Sequence, residues 1–123
     1  MNRSQKAAES VGKYGETVAA TYLSNLGYQI VERNWRTATG ELDIIAYREG
    51  ILAFVEVKTR TSAAFGHPAE AVGNKKLHRI QVLAAQWLTQ QETYFPSVRF
   101  DVIAVHYSKQ GSADVEHLQG VTL

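Results

Sequence analysis

Apolar positions along the chain change period several times, and each change marks an element. Ala8, Val11, Val18, Ala19, Tyr22 and Leu26 form a stripe at helical spacing. This predicts a first helix from a cap at Ser4 or Ser10 to about Leu26, with Gly27 at the position after the helix that favours glycine. Gly12 and Gly15 interrupt its first turns, each at a cost of roughly 1 kcal/mol relative to alanine, so those turns are expected to be frayed or closely approached. Three strand-like runs follow, Tyr28 to Trp35, Glu41 to Arg48 and Ile51 to Thr59, joined by turns that carry Gly40 and Gly50. Residues 60–73 contain Gly66, Pro68 and Gly73 and read as a loop with room for one helical turn. Asn74 is suited to cap a second helix, whose Leu77, Ile80, Ala84, Trp87 and Leu88 share one face as far as about Gln91. Val98 to Tyr107 is a fourth strand and Val115 to Leu118 a weak fifth. The order α-β-β-β-α-β-β predicts one α/β domain over residues 1–123, a mixed sheet with helices packed against it. The third strand, second helix and fourth strand should form a right-handed crossover.

The hairpin between the second and third strands has a readable register. With Glu49 and Gly50 as the turn, Arg48 pairs with Ile51, and one face sets Leu42 against Val57, Ile44 against Val55 and Ala46 against Ala53. That face is wholly apolar. The other sets Tyr47 against Leu52, Ile45 against Phe54, Asp43 against Glu56 and Glu41 against Lys58. A slip of one residue would put charges among the apolar partners, so the pattern fixes the register. It brings Asp43 and Glu56 opposite each other, with β-carbons about 5 Å apart. Like charges so placed destabilise a hairpin unless something neutralises one of them. A divalent cation does so, and hard oxygen ligands suit Mg²⁺. Lys58 follows two residues beyond Glu56 on the same face, within reach of a phosphate or water bound to such a cation. Glu16 lies near Ala20 and Leu23 on the helical wheel, at the margin of the first helix's stripe. It either points along the sheet toward the hairpin or stands in solvent.

Composition narrows the class without naming it. An apolar fraction of 45% and a charged fraction of 20% over 123 residues suit one hydrophobic core. The absence of cysteine removes disulfides, thiolate metal sites and a cysteine nucleophile, and agrees with a reducing compartment. No apolar run is long enough to span a bilayer and the first ten residues lack a signal-peptide core, so a cytoplasmic protein is expected. The net charge of +1 conceals an uneven distribution. Lys58, Arg60, Lys75, Lys76 and Arg79 are opposed locally only by Glu70, while Glu41, Asp43 and Glu56 gather elsewhere. A basic stretch beside an acidic cluster points to a polyanionic partner.

These residues carry a family resemblance. Gly40-Glu41-Leu42-Asp43-Ile44-Ile45, followed by Phe54-Val55-Glu56-Val57-Lys58-Thr59-Arg60, resembles the uncharacterised YraN-type bacterial proteins. Those are similar in turn to the PD-(D/E)xK nuclease superfamily of restriction endonucleases and archaeal Holliday-junction resolvases. The resemblance extends to Gly15-Glu16, Ala19 and Tyr22-Leu23 in the first helix, to Arg33-Asn34-Trp35-Arg36, to Lys76, and to Arg99-Phe100-Asp101-Val102. It implies a restriction-endonuclease-like, three-layer α/β/α fold with an α-β-β-β-α-β core and a short extra strand. It also implies a metal-binding acid at Asp43, the acid of the E-x-K element at Glu56, the catalytic lysine at Lys58 and a resolvase-type helix glutamate at Glu16. Leu42 stands where the motif name has proline, a position that varies widely. The implied mechanism has Asp43, Glu56 and the Val57 carbonyl holding one or two Mg²⁺ or Mn²⁺ ions, with Glu16 completing the set, and Lys58 orienting the attacking water or steadying the phosphorane.

Lys75, Lys76 and Arg79 fall in the first turns of the second helix, where cations oppose the helix dipole and fold stability gains nothing. A phosphate there would be held by backbone N–H groups and side chains together, so with Arg60 they are expected to track a nucleic-acid backbone. Trp35, Trp87 and most tyrosines read as core. His67, His78, His106 and His117 have no metal-ligand spacing and receive no role, and Asp101 reads as support for Arg99 or for the site. No phosphate-binding P-loop, serine elbow or dinucleotide fingerprint occurs. The expected activity is metal-dependent hydrolysis of DNA, branched or structured, by a resolvase-like endonuclease. RNA stays open as a substrate, a homodimer stays open as the assembly, and the alternative is a nucleic-acid-binding module that keeps the fold without turnover.

Overall fold

A computed structural model describes residues 2–60, 73–108 and 110–122. Its elements are α1 (Arg3–Asn25), β1 (Gln29–Thr37), β2 (Gly40–Arg48), β3 (Ile51–Arg60), α2 (Asn74–Thr89), β4 (Ser97–Tyr107) and β5 (Ala113–Leu118). The predicted element order is the observed one. The loop expected over residues 60–73, with its helical turn, lies almost wholly outside the described residues.

The five strands lie in the order β1-β2-β3-β4-β5. β1, β2 and β3 form antiparallel pairs, β3 and β4 run parallel, and β5 returns antiparallel to β4. α1 packs Ala19, Ala20 and Leu23 on one face, against Ile44, Ala46, Ala53, Val55, Ile103 and Val105. α2 packs Ile80, Leu83, Ala84 and Trp87 on the other, against Ile45, Leu52 and Phe54. The sheet is therefore sandwiched between helices, the three-layer α/β/α arrangement expected, and its inner strands are apolar on both sides. Phe54 stacks on Phe100 at 5.7 Å and meets Trp87 edge-on at 5.9 Å. Among the described residues, no helix is long and apolar enough to cross a membrane.

The turns and caps show where local sequence decides and where it misleads. Glu49 and Gly50 have φ of 49° and 83°, and positive φ at both positions is what a two-residue type I′ hairpin turn needs. Arg48 pairs with Ile51 as the alternation requires, and the register holds through Ile44 and Val55. The cap of α1 is Asn2, in a reciprocal capping box with Gln5, so Ser4 and Ser10 lie inside the helix. Gly27 follows α1 with φ 93°. Leu26, expected in the stripe, is 40% exposed, because Leu23, four residues on from Ala19, takes the buried position instead. Gly73, not Asn74, caps α2, with no side-chain hydrogen bond, and the helix ends at Thr89. A Cβ on Gly15 would collide with the Thr59 hydroxyl, so that glycine lets α1 approach β3 closely, whereas Gly12 faces open space.

One irregularity shapes the end of the sheet that matters for chemistry. Asn34, in the middle of β1, has φ 54°, a left-handed conformation that asparagine tolerates better than most residues. The β1–β2 pairing runs through Arg33↔Ile44 and Trp35↔Leu42, with Asn34 opposite Asp43 between them. Leu42 and Trp35 both join the α2-side core, while Ile44 stays on the α1 side. The expected apolar pair of Leu42 with Val57 is therefore not formed, since Val57 packs on the α1 side. The ladder between β2 and β3 stops at Ile44↔Val55. Beyond it the two strands part, and Asp43 lies at the parting.

Candidate active site

Asp43 sits where β2 leaves β3, and its Oδ2 accepts the Val57 N–H at 2.9 Å. A side chain thus replaces a main-chain acceptor at the end of the ladder, which aims the carboxylate at β3 and brings it within hydrogen-bonding contact of Glu56. Glu56 is buried on the strand face that continues from Phe54 toward α2. From α2, Lys76 Nζ reaches Glu56 Oε1 at 2.5 Å, and Lys58 Nζ stands 3.9 Å from the same oxygen. The two expected acids and the expected lysine are brought together, with a second lysine nearer to Glu56 than the first.

Glu16 comes from α1, on the line of Ala20 and Leu23, both buried against the sheet. That line resolves its orientation: the side chain is turned toward the sheet and half-buried. One carboxylate oxygen from each of Glu16, Glu41 and Asp43 lies within 4.8 Å of the others. The Asn34 amide, with its nitrogen turned to these acids, donates to Glu16 Oε2 at 2.9 Å and to Glu41 Oε1 at 3.0 Å. Glu41 also pairs with Arg36 Nε at 2.7 Å. The cross-strand pair of Glu41 with Lys58 expected from an unbroken ladder is not made, because the strands have already separated.

The electrostatics follow from this crowding. Burial, and then the neighbouring Glu56, push the Asp43 carboxyl up to about 8, against the help of the Val57 N–H. Burial and Glu41 raise Glu16. Burial and the adjacent Lys76 ammonium lower Lys58. Burial is the largest single influence on Lys76 and works against its ammonium, but the hydrogen bonds to Glu56 and Lys58 and the charges of Glu56 and Asp43 together outweigh it and raise the group. The site concentrates negative charge that two lysines only partly offset.

Among the described residues, two recesses open on it. A groove beside α1 is lined by Glu16, Asp43, Glu56, Lys58 and Arg60. A narrower one beside α2 is lined by Glu41, Asp43, Glu56, Lys76 and Arg79. Asp43 and Glu56 border both. Of the basic residues expected to track a phosphate backbone, Lys75 and Arg79 are exposed on α2, Arg60 borders the first groove, and Lys76 turns inward to Glu56.

A second polar cluster was largely missed from sequence. Asp101 is 2% exposed, and its carboxylate accepts two bonds from Arg99 at 2.8 Å each, and the Gly120 N–H at 3.1 Å. His117 Nε2 lies 2.8 Å from Asp101 Oδ2, and its Nδ1 lies 3.2 Å from the Tyr22 hydroxyl. Arg99 also donates to the Tyr28 hydroxyl at 2.6 Å. Despite burial, these bonds hold the Asp101 carboxyl below its usual range, and with Tyr28 they raise Arg99. The spacing of Arg99 and Asp101, two apart on one strand face, was the available signal. His117, given no role from sequence, pins β5 to this cluster. His67 lies outside the described residues.

The chain matches the profile described as "Uncharacterised protein family UPF0102" over residues 15–105. A "UPF0102 protein" of Beutenbergia cavernae is 51% identical over 94% of this chain and 98% of its own. Proteins of the same description from Pseudarthrobacter chlorophenolicus and Rhodococcus opacus are 49% identical, over 94% of this chain and 88% of the relative, and 43% identical, over 89% and 93%.

Proposed function

Taking as premise that this chain belongs to the UPF0102 family, we propose that it is a Mg²⁺- or Mn²⁺-dependent endonuclease of the resolvase-like type, hydrolysing phosphodiester bonds in branched or structured DNA. The observation that carries this reading is the contact of Asp43 with Glu56 at the parting of two strands, where burial and like charge raise Asp43 to about 8. A fold does not keep two carboxylates in that position for stability. The donor set fits a hard divalent cation: carboxylate oxygens of Glu16, Glu41 and Asp43 stand within 4.8 Å of one another, and Glu56 touches Asp43.

Asp43, Glu56, the Val57 carbonyl and Glu16 are the residues that would hold the ion. When bound, Mg²⁺ supplies Lewis-acid polarisation of the phosphate and a lowered pKa for the attacking water. Lys58, half-buried and with its ammonium disfavoured by burial and by Lys76, would hold a phosphate oxygen or the water at the mouth of the α1-side groove. Lys75 and Arg79 on α2, with Arg60 across the site, would grip the flanking backbone as point charges.

The Lys76–Glu56 ion pair favours one other reading, a nucleic-acid-binding module in which lysine has taken over the cation's place. Calorimetric titration with Mg²⁺ and Mn²⁺, beside incubation of labelled junction, flap, nicked, linear and RNA substrates, separates the two. Metal binding lost in Asp43→Asn, together with cleavage of at least one DNA substrate, is expected. DNA binding with no metal uptake and no cleavage would establish the binding module, and cleavage confined to RNA would reassign the substrate.

A further inference from the structure

Arg33-Asn34-Trp35-Arg36 is a motif that the proposed chemistry does not use, yet its side chains tie β1 to both helix layers and to the acidic cluster. Arg33 donates to Thr17 of α1 at 3.4 Å, Asn34 reaches Glu16 and Glu41, Trp35 packs into the α2-side core, and Arg36 pairs with Glu41. A regular strand sends alternate residues to opposite faces, so Arg33 and Trp35 should share one. Here they serve opposite layers of the molecule. The left-handed φ of 54° at Asn34 is what permits this. Such a backbone is strained for most side chains, and asparagine bears it better than most.

We propose that Asn34 is a positioning residue for the metal site, its amide tying Glu16 of α1 to Glu41 of β2 so that the Glu16 carboxylate is held facing Asp43. The inference rests on the metal-dependent reading above and specifies how that site is assembled. Glu16 projects from a helix and has two to three side-chain torsions to fix. Glu41 is already anchored by Arg36 at 2.7 Å. An amide has two N–H donors and no charge, so it bridges two carboxylates without occupying the place of a cation. The order Arg36–Glu41–Asn34–Glu16 is therefore a chain of fixed groups that ends on the proposed ligand set. Hydrogen bonds of this kind orient ligands, and their loss typically weakens metal affinity by about 10–100-fold.

The test separates the backbone role of Asn34 from the role of its amide. Asn34→Gly keeps the left-handed backbone and removes the donors, whereas Asn34→Ala disturbs both. Mg²⁺ and Mn²⁺ affinities of each variant, and of Glu16→Gln alone and combined with Asn34→Gly, are measured by calorimetry, with metal-free melting temperature as the control on folding. Asn34→Gly should melt within a few degrees of the parent yet bind metal roughly tenfold or more weakly. Combined with Glu16→Gln it should add little further loss, because the amide acts through that glutamate. Parent-like affinity in Asn34→Gly with a loss only in Asn34→Ala would reduce Asn34 to a residue that bends the strand, overturning the proposal alone. Full additivity with Glu16→Gln would overturn it too. Absence of metal binding by the parent protein would remove the metal-dependent reading and this inference together.

Discussion

Replacing Asp43 by asparagine should make the metal-free protein more stable, by an amount that depends on pH. In the fold Asp43 holds its proton up to about 8, whereas the unfolded chain releases it near the ordinary value of 3.8. Between those limits the folded state binds the extra proton, so stability falls as pH rises, and the loss stops growing above about 8. At roughly 1.4 kcal/mol per pKa unit, a little over three units separate 3.8 from pH 7, which sets a ceiling of about 4 kcal/mol on the penalty there. Both carboxylates border open recesses and have room to relax, so about 1–2 kcal/mol is the gain expected at pH 7, or roughly 3–8 °C in melting temperature. Asparagine keeps an oxygen for the Val57 N–H, so the strand end is preserved. The assay is thermal unfolding by circular dichroism in chelator, for parent and Asp43→Asn, at intervals from pH 4 to 9. The two should melt alike near pH 4, diverge through neutrality and run parallel above about 8. Added Mg²⁺ should then raise the parent alone. A variant less stable than the parent at pH 8, or a difference flat across the range, would mean that the carboxylate pair carries no strain, and the case for a cation there would fail with it.

Asp101→Asn should behave oppositely: its folded carboxyl is held low, so its contribution is present above the ordinary carboxylate range and fades as pH falls. Melting curves of the two proteins should converge in acid. Gly15→Ala should lower stability by about 1–2 kcal/mol despite the better helix former, because the new methyl strikes Thr59, and Thr59→Ala should restore part of the loss in chemical denaturation. If the proposed activity holds, Lys75→Ala and Arg79→Ala should each flatten the salt dependence of DNA affinity by roughly one log–log unit. Lys58→Ala should bind nearly as the parent does and lose cleavage, and equal loss of affinity in all three would make Lys58 a phosphate clamp.

The parts of this fold that were legible in the sequence are those set by local periodicity. Alternation from Ile44 to Val55 has one register that buries apolar partners, and Leu77, Ile80, Ala84 and Trp87 have one helical face to offer. The same alternation misplaced Leu42 because it assumes that β2 stays paired with β3, whereas past Ile44 it follows β1, whose backbone turns left-handed at Asn34. Nothing about an asparagine inside a strand-like run demands φ 54°, although asparagine is the residue to suspect. Asp43, Glu56 and Lys58 could be grouped because one hairpin carries them all. Lys76 could not be joined to Glu56, nor His117 to Asp101, since those contacts depend on how helices and edge strands dock. Such docking is decided by long-range packing and leaves no periodic trace.

Among the described residues, β1 is a terminal strand of the sheet, with no neighbour on one of its sides. An unpaired rim of nine residues would ordinarily invite the rim of another molecule. Here the register slips between Ile30 and Glu32, and three positions on the backbone turns left-handed at Asn34. An approaching strand would find only short straight stretches before the hydrogen-bonding groups fell out of phase, with Glu32, Arg33 and Arg36 along them. The bend that aims carboxylates inward thereby also spoils the outer rim as a template for polymerisation, so a mutation that straightened it would expose the cell to aggregates as well as dismantle the acidic cluster.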